Sequence, residues 1–151
     1  MKLTKIVVPT DFSDYSAAAM TYAMDFAEKW DAEIHLIYVS ENIPSVFSSE
    51  NDESKEQSFL FSLEDKARKK IKELAKFYSE EHETHVKPVL RSGINHEEII
   101  KYAAEIESEL IIIATHGRTG ILYTLLGSVA EKVIQFAKCP VLVVKPIEEE
   151  E

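Results

Sequence analysis

The chain has 151 residues, among them one cysteine, one tryptophan, four glycines and five prolines. The lone Cys139 excludes an internal disulfide framework. Without a Cys/His cluster, structural zinc is excluded too. No apolar run approaches the ~18–20 residues that would cross a bilayer. The opening MKLTKIVVPTDF lacks both the apolar length and the small-residue cleavage site of a secretory signal, so a cytoplasmic location is expected. Positive charge is scarce as well: 17 Lys and Arg face 27 Asp and Glu, for a net charge of −10. A surface of that sign repels DNA, RNA and anionic membrane, so neither nucleic acid nor membrane is an expected partner.

What is present fits one globular domain. Hydrophobic residues make up 45% and charged residues 29%, enough for a core and a solvated exterior. Residues 1–147 read as a single domain, and the EEEE of residues 148–151 as an acidic tail.

Two kinds of segment alternate along it. Residues 3–8, 34–39, 85–90, 110–114 and 141–144 are short, apolar and β-branched, as strands are. Between them run helical stripes. Ala19, Tyr22, Ala23, Phe26, Ala27 and Trp30 share one face, with Asp11 or Ser13 as its cap. Leu60, Leu63, Ala67, Ile71, Leu74, Ala75 and Tyr78 form the second stripe, and Ile99, Ile100, Ala103 and Ala104 the third. Val129, Val133, Ile134, Phe136 and Ala137 form the fourth. Asn95 and Glu98 have the spacing of a capping box. Residues 41–58 are polar and contain Pro44, so they read as a long mobile loop able to cover a ligand.

The order βαβαβαβαβ predicts a doubly wound, five-stranded parallel sheet with helices on both faces. The expected architecture is flavodoxin- or Rossmann-like, with strand order 3-2-1-4-5. Ligands of such sheets bind beyond the carboxyl ends of the strands, at the switch point. That geometry selects three loops: PTDFS (9–13), RSGINHEE (91–98) and the segment after Ala114.

The last of these holds three of the four glycines, Gly117, Gly120 and Gly127. Glycine there permits positive φ or the close approach of a ligand to the backbone. Gly127-Ser128 immediately precedes a helix, whose free N–H groups favour a phosphate. An ordinary serine-capped helix would carry the same letters. Asp11 has two readings as well, a hydrogen-bond acceptor for a ribose or metal, or a helix cap. His116 and Arg118 either touch a phosphate or occupy a turn and solvent. The patterns GxxxxGK[ST], GxGxxG and GxSxG are all absent.

Taken together, these residues resemble the universal stress protein family, specifically its ATP-binding branch. The resemblance begins in KIVVPTDFSDYSAAAMTYA (5–23), continues through VLRSGINHEEIIKYA (89–103) and is strongest over residues 111–146. The family's nucleotide motif is Gly, two residues, Gly, nine residues, then Gly-Ser or Gly-Thr. Gly117 and Gly127-Ser128 match it, while Ala114 stands at the first position. The resemblance implies a site for ATP, or AMP or ADP, with Mg²⁺ or Mn²⁺ accompanying the phosphates and the metal's own ligands left open. Pro9, Thr10 and Asp11 would border the adenosine, and Val39 would offer its backbone to adenine. Gly93 and Ile94 would close the base side. Ala114 and His116 would lie at the phosphate end, where Gly117, Arg118, Gly127, Ser128 and Val129 would surround the phosphates.

The resemblance also implies a homodimer through the last strand, Val141–Val144. The expected function is nucleotide-dependent regulation of an unidentified protein partner in the stress response, with weak or no ATP hydrolysis. A slow ATPase with His116 as base, and a nucleotide-free dimeric interaction module, are the alternatives. A flavodoxin-like electron carrier fits less well, because PTDFS occupies the place of its phosphate loop.

Overall fold

The computed structural model describes residues 2–41, 53–116 and 126–146. The elements, in chain order, are β1 (Lys5–Pro9), α1 (Asp14–Trp30), β2 (Glu33–Ser40), α2 (Glu53–His82) and β3 (Val86–Ser92). Then come α3 (Asn95–Glu105), β4 (Leu110–Ala114), α4 (Ser128–Phe136) and β5 (Val141–Val144). The strands form one parallel sheet in the order β3-β2-β1-β4-β5. The expected fold class and strand order are borne out.

Because side chains alternate across a strand, each strand feeds two cores. Ile6, Val8, Ile34, Leu36 and Ile112 face α1 and α2, with Ala19, Met20, Ala23, Ile71 and Ala75. Val7, Ile37, Val39, Ile111 and Ile113 face α3 and α4, with Ile99, Tyr102, Ala130 and Val133. Continuous apolar strands are what double-sided burial requires.

The two sheet edges differ. β3 carries the exposed Lys87 and the ring of Pro88, both of which discourage further pairing. On β5, Val141, Leu142 and Val143 remain half-buried, and α4 leaves Ile134 and Phe136 exposed.

Several expected details are corrected. The second helix begins at Glu53, not near residue 60, so residues 53–58 belong to helix and not to a loop. Residues 55–59 are mostly exposed, so burial left no apolar period there to read. The rest of the expected loop, 42–52, and the acidic tail lie outside the described residues. On α1 the buried face is Ser16, Ala19, Met20, Ala23, Met24 and Ala27, while Tyr22 and Trp30 are exposed. Small residues allow the helix to approach the sheet, and the aromatic stripe is rotated to its rim. On α3, Tyr102 replaces Ala104 in the buried set. The α3 N-cap is Ile94 without a side-chain cap, so Asn95 does not form the expected capping box. On α4 only Ala130 and Val133 are buried.

Candidate functional site

The chain winds outward from β1 through β2 to β3, then returns to the other side of β1 with β4. The switch point is therefore between β1 and β4. Their pairing runs Ile6↔Leu110 and Val7↔Ile111, whereas β1 stays paired with β2 as far as Pro9↔Ile37. The β1–β4 register ends at Val7 and Ile111, and it is at such a switch point, beyond the carboxyl ends of the strands, that doubly wound sheets form their ligand crevice.

One wall is the β1–α1 connection. The Thr10 N–H donates to the Ile37 carbonyl at 2.9 Å, fixing the loop to the neighbouring strand. The Thr10 hydroxyl accepts from the Phe12 N–H at 3.1 Å. Phe12 has φ 66°, a conformation a bulky residue adopts only where its surroundings hold it. Its ring packs on Tyr38 at 4.6 Å and lies beneath Lys70. Of the two candidate caps, Ser13 is the N-cap, accepting from the Ser16 N–H. Asp11 acts one step back: Oδ1 accepts from the Ser13 N–H at 3.0 Å and from the Ser13 hydroxyl. The carboxylate is thereby oriented on the crevice-side loop.

The second wall follows β4. Ala114 pairs with Val144 at the strand end and is buried, and its φ is not positive. A methyl group is accommodated there without backbone strain. The Thr115 N–H continues the ladder to the Val144 carbonyl at 2.9 Å, and the Thr115 carbonyl accepts from the Gly127 N–H at 2.6 Å. That bond returns the chain to the strand end at the start of α4. It also explains Gly127. Its φ is −71°, so positive φ is not the reason. A Cβ there would sit 2.8 Å from the Thr115 carbonyl oxygen, with His116 Nδ1 3.8 Å away. Close approach excludes any side chain.

Gly127 is the N-cap of α4 and supplies no side-chain cap, while Ser128 is the first helical residue. The serine-capped reading is thus corrected. The N–H groups of Ser128, Val129 and Ala130 lack intrahelical acceptors by the geometry of any helix start. Beside them, Thr115 Oγ1 and His116 Nδ1 are buried without a hydrogen-bond partner among the described residues. Buried orphan polar atoms are rare and costly, of order 1–3 kcal/mol each. Next to a helix start without a side-chain cap, whose N–H groups can receive an anion, such groups are chemically able to act with it.

The third flank comes from β2 and β3. Val39 is buried near the end of β2. The Gly93 N–H donates to the Ser40 carbonyl at 3.0 Å, tying the β3–α3 turn to that strand. Gly93 has φ 144°, which requires glycine. Ile94 is 53% exposed, an apolar side chain displayed at the loop. Pro9, Thr10, Asp11, Val39, Gly93, Ile94, Ala114, His116, Gly127, Ser128 and Val129 all fall at the carboxyl end of the sheet. Gly117 and Arg118 lie outside the described residues. Thr115 belongs with these residues and sequence reasoning passed over it, because its hydroxyl is conspicuous only once its burial is known. Among the described residues, no group of three or more His, Cys, Asp and Glu side chains is arranged to hold a metal.

The profile of the universal stress protein family matches residues 2–145. The chain belongs to the universal stress protein family. Universal stress protein MJ0531 of Methanocaldococcus jannaschii is 39% identical over 142 residues, covering 93% of this chain and 81% of that protein. The solved structure of MJ0577, from the same organism, superposes with a TM-score of 0.79 at 32% identity, covering 99% and 100% of the two chains. Two more distant structures share the fold: a universal stress protein in complex with cAMP (TM-score 0.66, 21% identity, 96% and 98% covered) and the Archaeoglobus fulgidus protein in complex with dAMP (0.63, 19%, 95% and 98%).

Proposed function

We propose that this universal stress protein binds ATP, or AMP or ADP, in the β1/β4 crevice and regulates a protein partner according to nucleotide state. The observation that carries the reading is the uncapped α4 start beside the buried, unpartnered Thr115 Oγ1 and His116 Nδ1. Phosphate oxygens would accept from the N–H groups of Ser128 and Val129 and from the Thr115 hydroxyl. Gly117 and Arg118 complete the cradle in this reading. Asp11 would accept from a ribose hydroxyl, and Val39, Gly93 and Ile94 would border the base. The complexes of relatives with cAMP and dAMP support an adenine nucleotide as the ligand class.

The residues fit Mg²⁺ or Mn²⁺ only as a companion of the nucleotide. No protein cluster among the described residues chelates an ion alone, and Mg²⁺ ordinarily combines one or two carboxylates with substrate phosphates. The bound ion would neutralise phosphate charge. Hydrolysis would be weak or absent, with His116 the best candidate base. We place the protein in the cytoplasm; no described helix is long and apolar enough to cross a membrane.

A homodimer through Val141–Val144 belongs to the same proposal. The half-buried edge of β5, with Ile134 and Phe136 exposed on the adjacent helix, supports it. Extraction of the purified chain for bound nucleotide, with calorimetric titration by ATP and Mg²⁺, tests the central claim. The expected result is a stoichiometric adenine nucleotide or saturable binding. No ligand and no heat at millimolar ATP would leave the dimeric interaction module as the better description.

A further inference from the structure

At the opposite end of the sheet lies a polar network that the nucleotide reading does not use. The buried polar side chains among the described residues are Ser16, His35, Ser108 and Thr115. Of these only His35 can change charge near neutral pH. It sits in β2, 3% exposed, on the side of the strand that also carries Ile37 and Val39. Its Nδ1 is 2.6 Å from the Tyr102 hydroxyl of α3. Its Nε2 is 2.6 Å from Glu33 Oε1, without the alignment of a hydrogen bond. The other Glu33 oxygen is 3.0 Å from Nε2 of the exposed His85.

These contacts select one protonation state. Burial and the Glu33 and Glu105 carboxylates push the Tyr102 hydroxyl up, outweighing Arg91, so Tyr102 keeps its proton. The Glu33 carboxylate, an acceptor only, faces Nε2, so the neutral ring carries its proton there and Nδ1 accepts from the Tyr102 hydroxyl. A second proton would turn Nδ1 into a donor, so the Tyr102 hydroxyl would have to reverse and accept, leaving its own proton in a buried site without that partner. Every element around the ring contributes charge. Burial lowers the His35 pKa most; Lys87 of β3 and Lys5 of β1 also lower it, and Glu33 opposes them. Behind Tyr102, Arg91 lies 5.1 Å from the ring centroid and pairs with Glu105 at 2.6 Å.

Tyr102 is one of three buried side chains on α3, with Ile99 and Ala103, and the helix starts without a side-chain cap. Loss of the Tyr102 donation therefore weakens the docking of α3 at one of its three buried side chains. The start of that helix is the Gly93–Ile94 turn, and α3 shares its core with α4.

We propose that the His35–Tyr102 pair is a pH-operated latch on α3, closed by neutral His35 and released when His35 is protonated, so that acidification loosens the Gly93–Ile94 flank of the crevice. The effect on nucleotide rests on the site proposed above; the effect on α3 does not. The sign follows from the lowered pKa. The folded state resists the proton that the unfolded chain accepts near the ordinary histidine value of 6.5. The latch is closed at and above that value and opens as pH falls through the lower folded-state pKa.

The test follows the full chain from about pH 7.5 to about pH 5.5 by hydrogen exchange of α3 amides, NMR titration of the His35 ring and ATP calorimetry. The α3 protection factors should fall roughly tenfold with the His35 midpoint while β1 and β2 hold, and ATP affinity should weaken several-fold. In Tyr102→Phe, α3 should already be loosened at neutral pH and respond less than about twofold to acid. His35→Gln should flatten the response, and His85→Asn should retain it. Constant α3 protection while His35 titrates would overturn the latch, as would a response that follows His85. If His35→Gln does not fold, the wild-type titration and Tyr102→Phe still decide. If ATP binds at neither pH, the nucleotide reading fails while the exchange data still judge the latch.

Discussion

The two ends of this sheet treat polar groups differently. At the amino end most are matched, His35 Nε2 beside Glu33 being the exception among the described residues. Glu109 accepts from the Thr4 N–H at 3.1 Å, the Thr4 hydroxyl at 2.6 Å and the Lys5 N–H at 2.8 Å. The Lys5 ammonium donates to the Ile106 carbonyl at 2.9 Å, and the Ser108 hydroxyl lies within 3.2 Å and 2.9 Å of the Lys5 and Leu110 carbonyls. At the carboxyl end, Thr115 and His116 bury polar atoms without partners among the described residues, and α4 starts without a side-chain cap. The amino end clamps β1 to the α3–β4 connection. The carboxyl end retains unsatisfied groups of the kind that a ligand relieves. Substitutions at the two ends should therefore separate stability from binding.

The largest separation is expected from Gly127→Ala. The added Cβ would lie 2.8 Å from the Thr115 carbonyl oxygen, so either the Gly127–Thr115 bond or the α4 start must move. Calorimetry should show at least a roughly 100-fold loss of ATP affinity, about 2.7 kcal/mol. Affinity within threefold of wild type would separate the cradle from the nucleotide.

Next is the reverse case, Glu109→Ala. Burial acts to raise the Glu109 pKa, but the hydrogen bonds from Thr4 and Lys5 outweigh it and hold the carboxylate below its ordinary value. Its contribution is complete above the unfolded-state pKa, near 4.5, and is lost as pH falls through the lower folded-state value. Discounting for partial exposure, the substitution should cost about 1–2 kcal/mol at neutral pH. That is a Tm drop of very roughly 2–8 °C for a domain of this size. ATP affinity should be unchanged. The mutant's stability should also fall less steeply than wild type's below about pH 4.5.

The same contrast shows what could be read from the letters. The β/α alternation, the parallel order and the central strands were legible because double-sided burial makes strands such as LIIIA continuously apolar. Gly127 was legible as a position of constraint, although close approach and not positive φ imposes it. Phase around each helix was harder to read. Tyr22 and Trp30 share a period with Ala19 and Ala23, but the buried face is rotated to take in the flexible Met20 and Met24 instead. The start of α2 was missed because residues 55–59 are mostly exposed and carry no apolar stripe. Thr115 and the His35–Tyr102 pair were missed because hydrogen-bond satisfaction depends on contacts up to 67 positions apart in the chain.

Thr115→Val should sharpen the contrast within one residue. Valine keeps the shape of the side chain and removes an orphan hydroxyl, so the ligand-free protein should gain about 1 kcal/mol. If a phosphate oxygen is the missing partner, ATP affinity should fall roughly fivefold to tenfold, the value of one hydrogen bond. Thermal unfolding with and without ATP measures both. A variant that is more stable and binds equally well would make the hydroxyl a defect and not a ligand group.

The smallest expected effect belongs to Ala114→Gly, which restores the family's first glycine. Were the departure an obstacle, the substitution would tighten ATP markedly. The geometry argues otherwise. Ala114 is the last residue of β4, paired with Val144, and its φ is not positive. Glycine therefore gains no backbone conformation that alanine lacks, and it loses strand stability, by roughly 0.5–1 kcal/mol. Affinity should change by less than about threefold, under 0.7 kcal/mol. A tenfold gain would mean that the methyl group itself fills space a nucleotide needs, moving the crowded point of the crevice from Gly127 to Ala114.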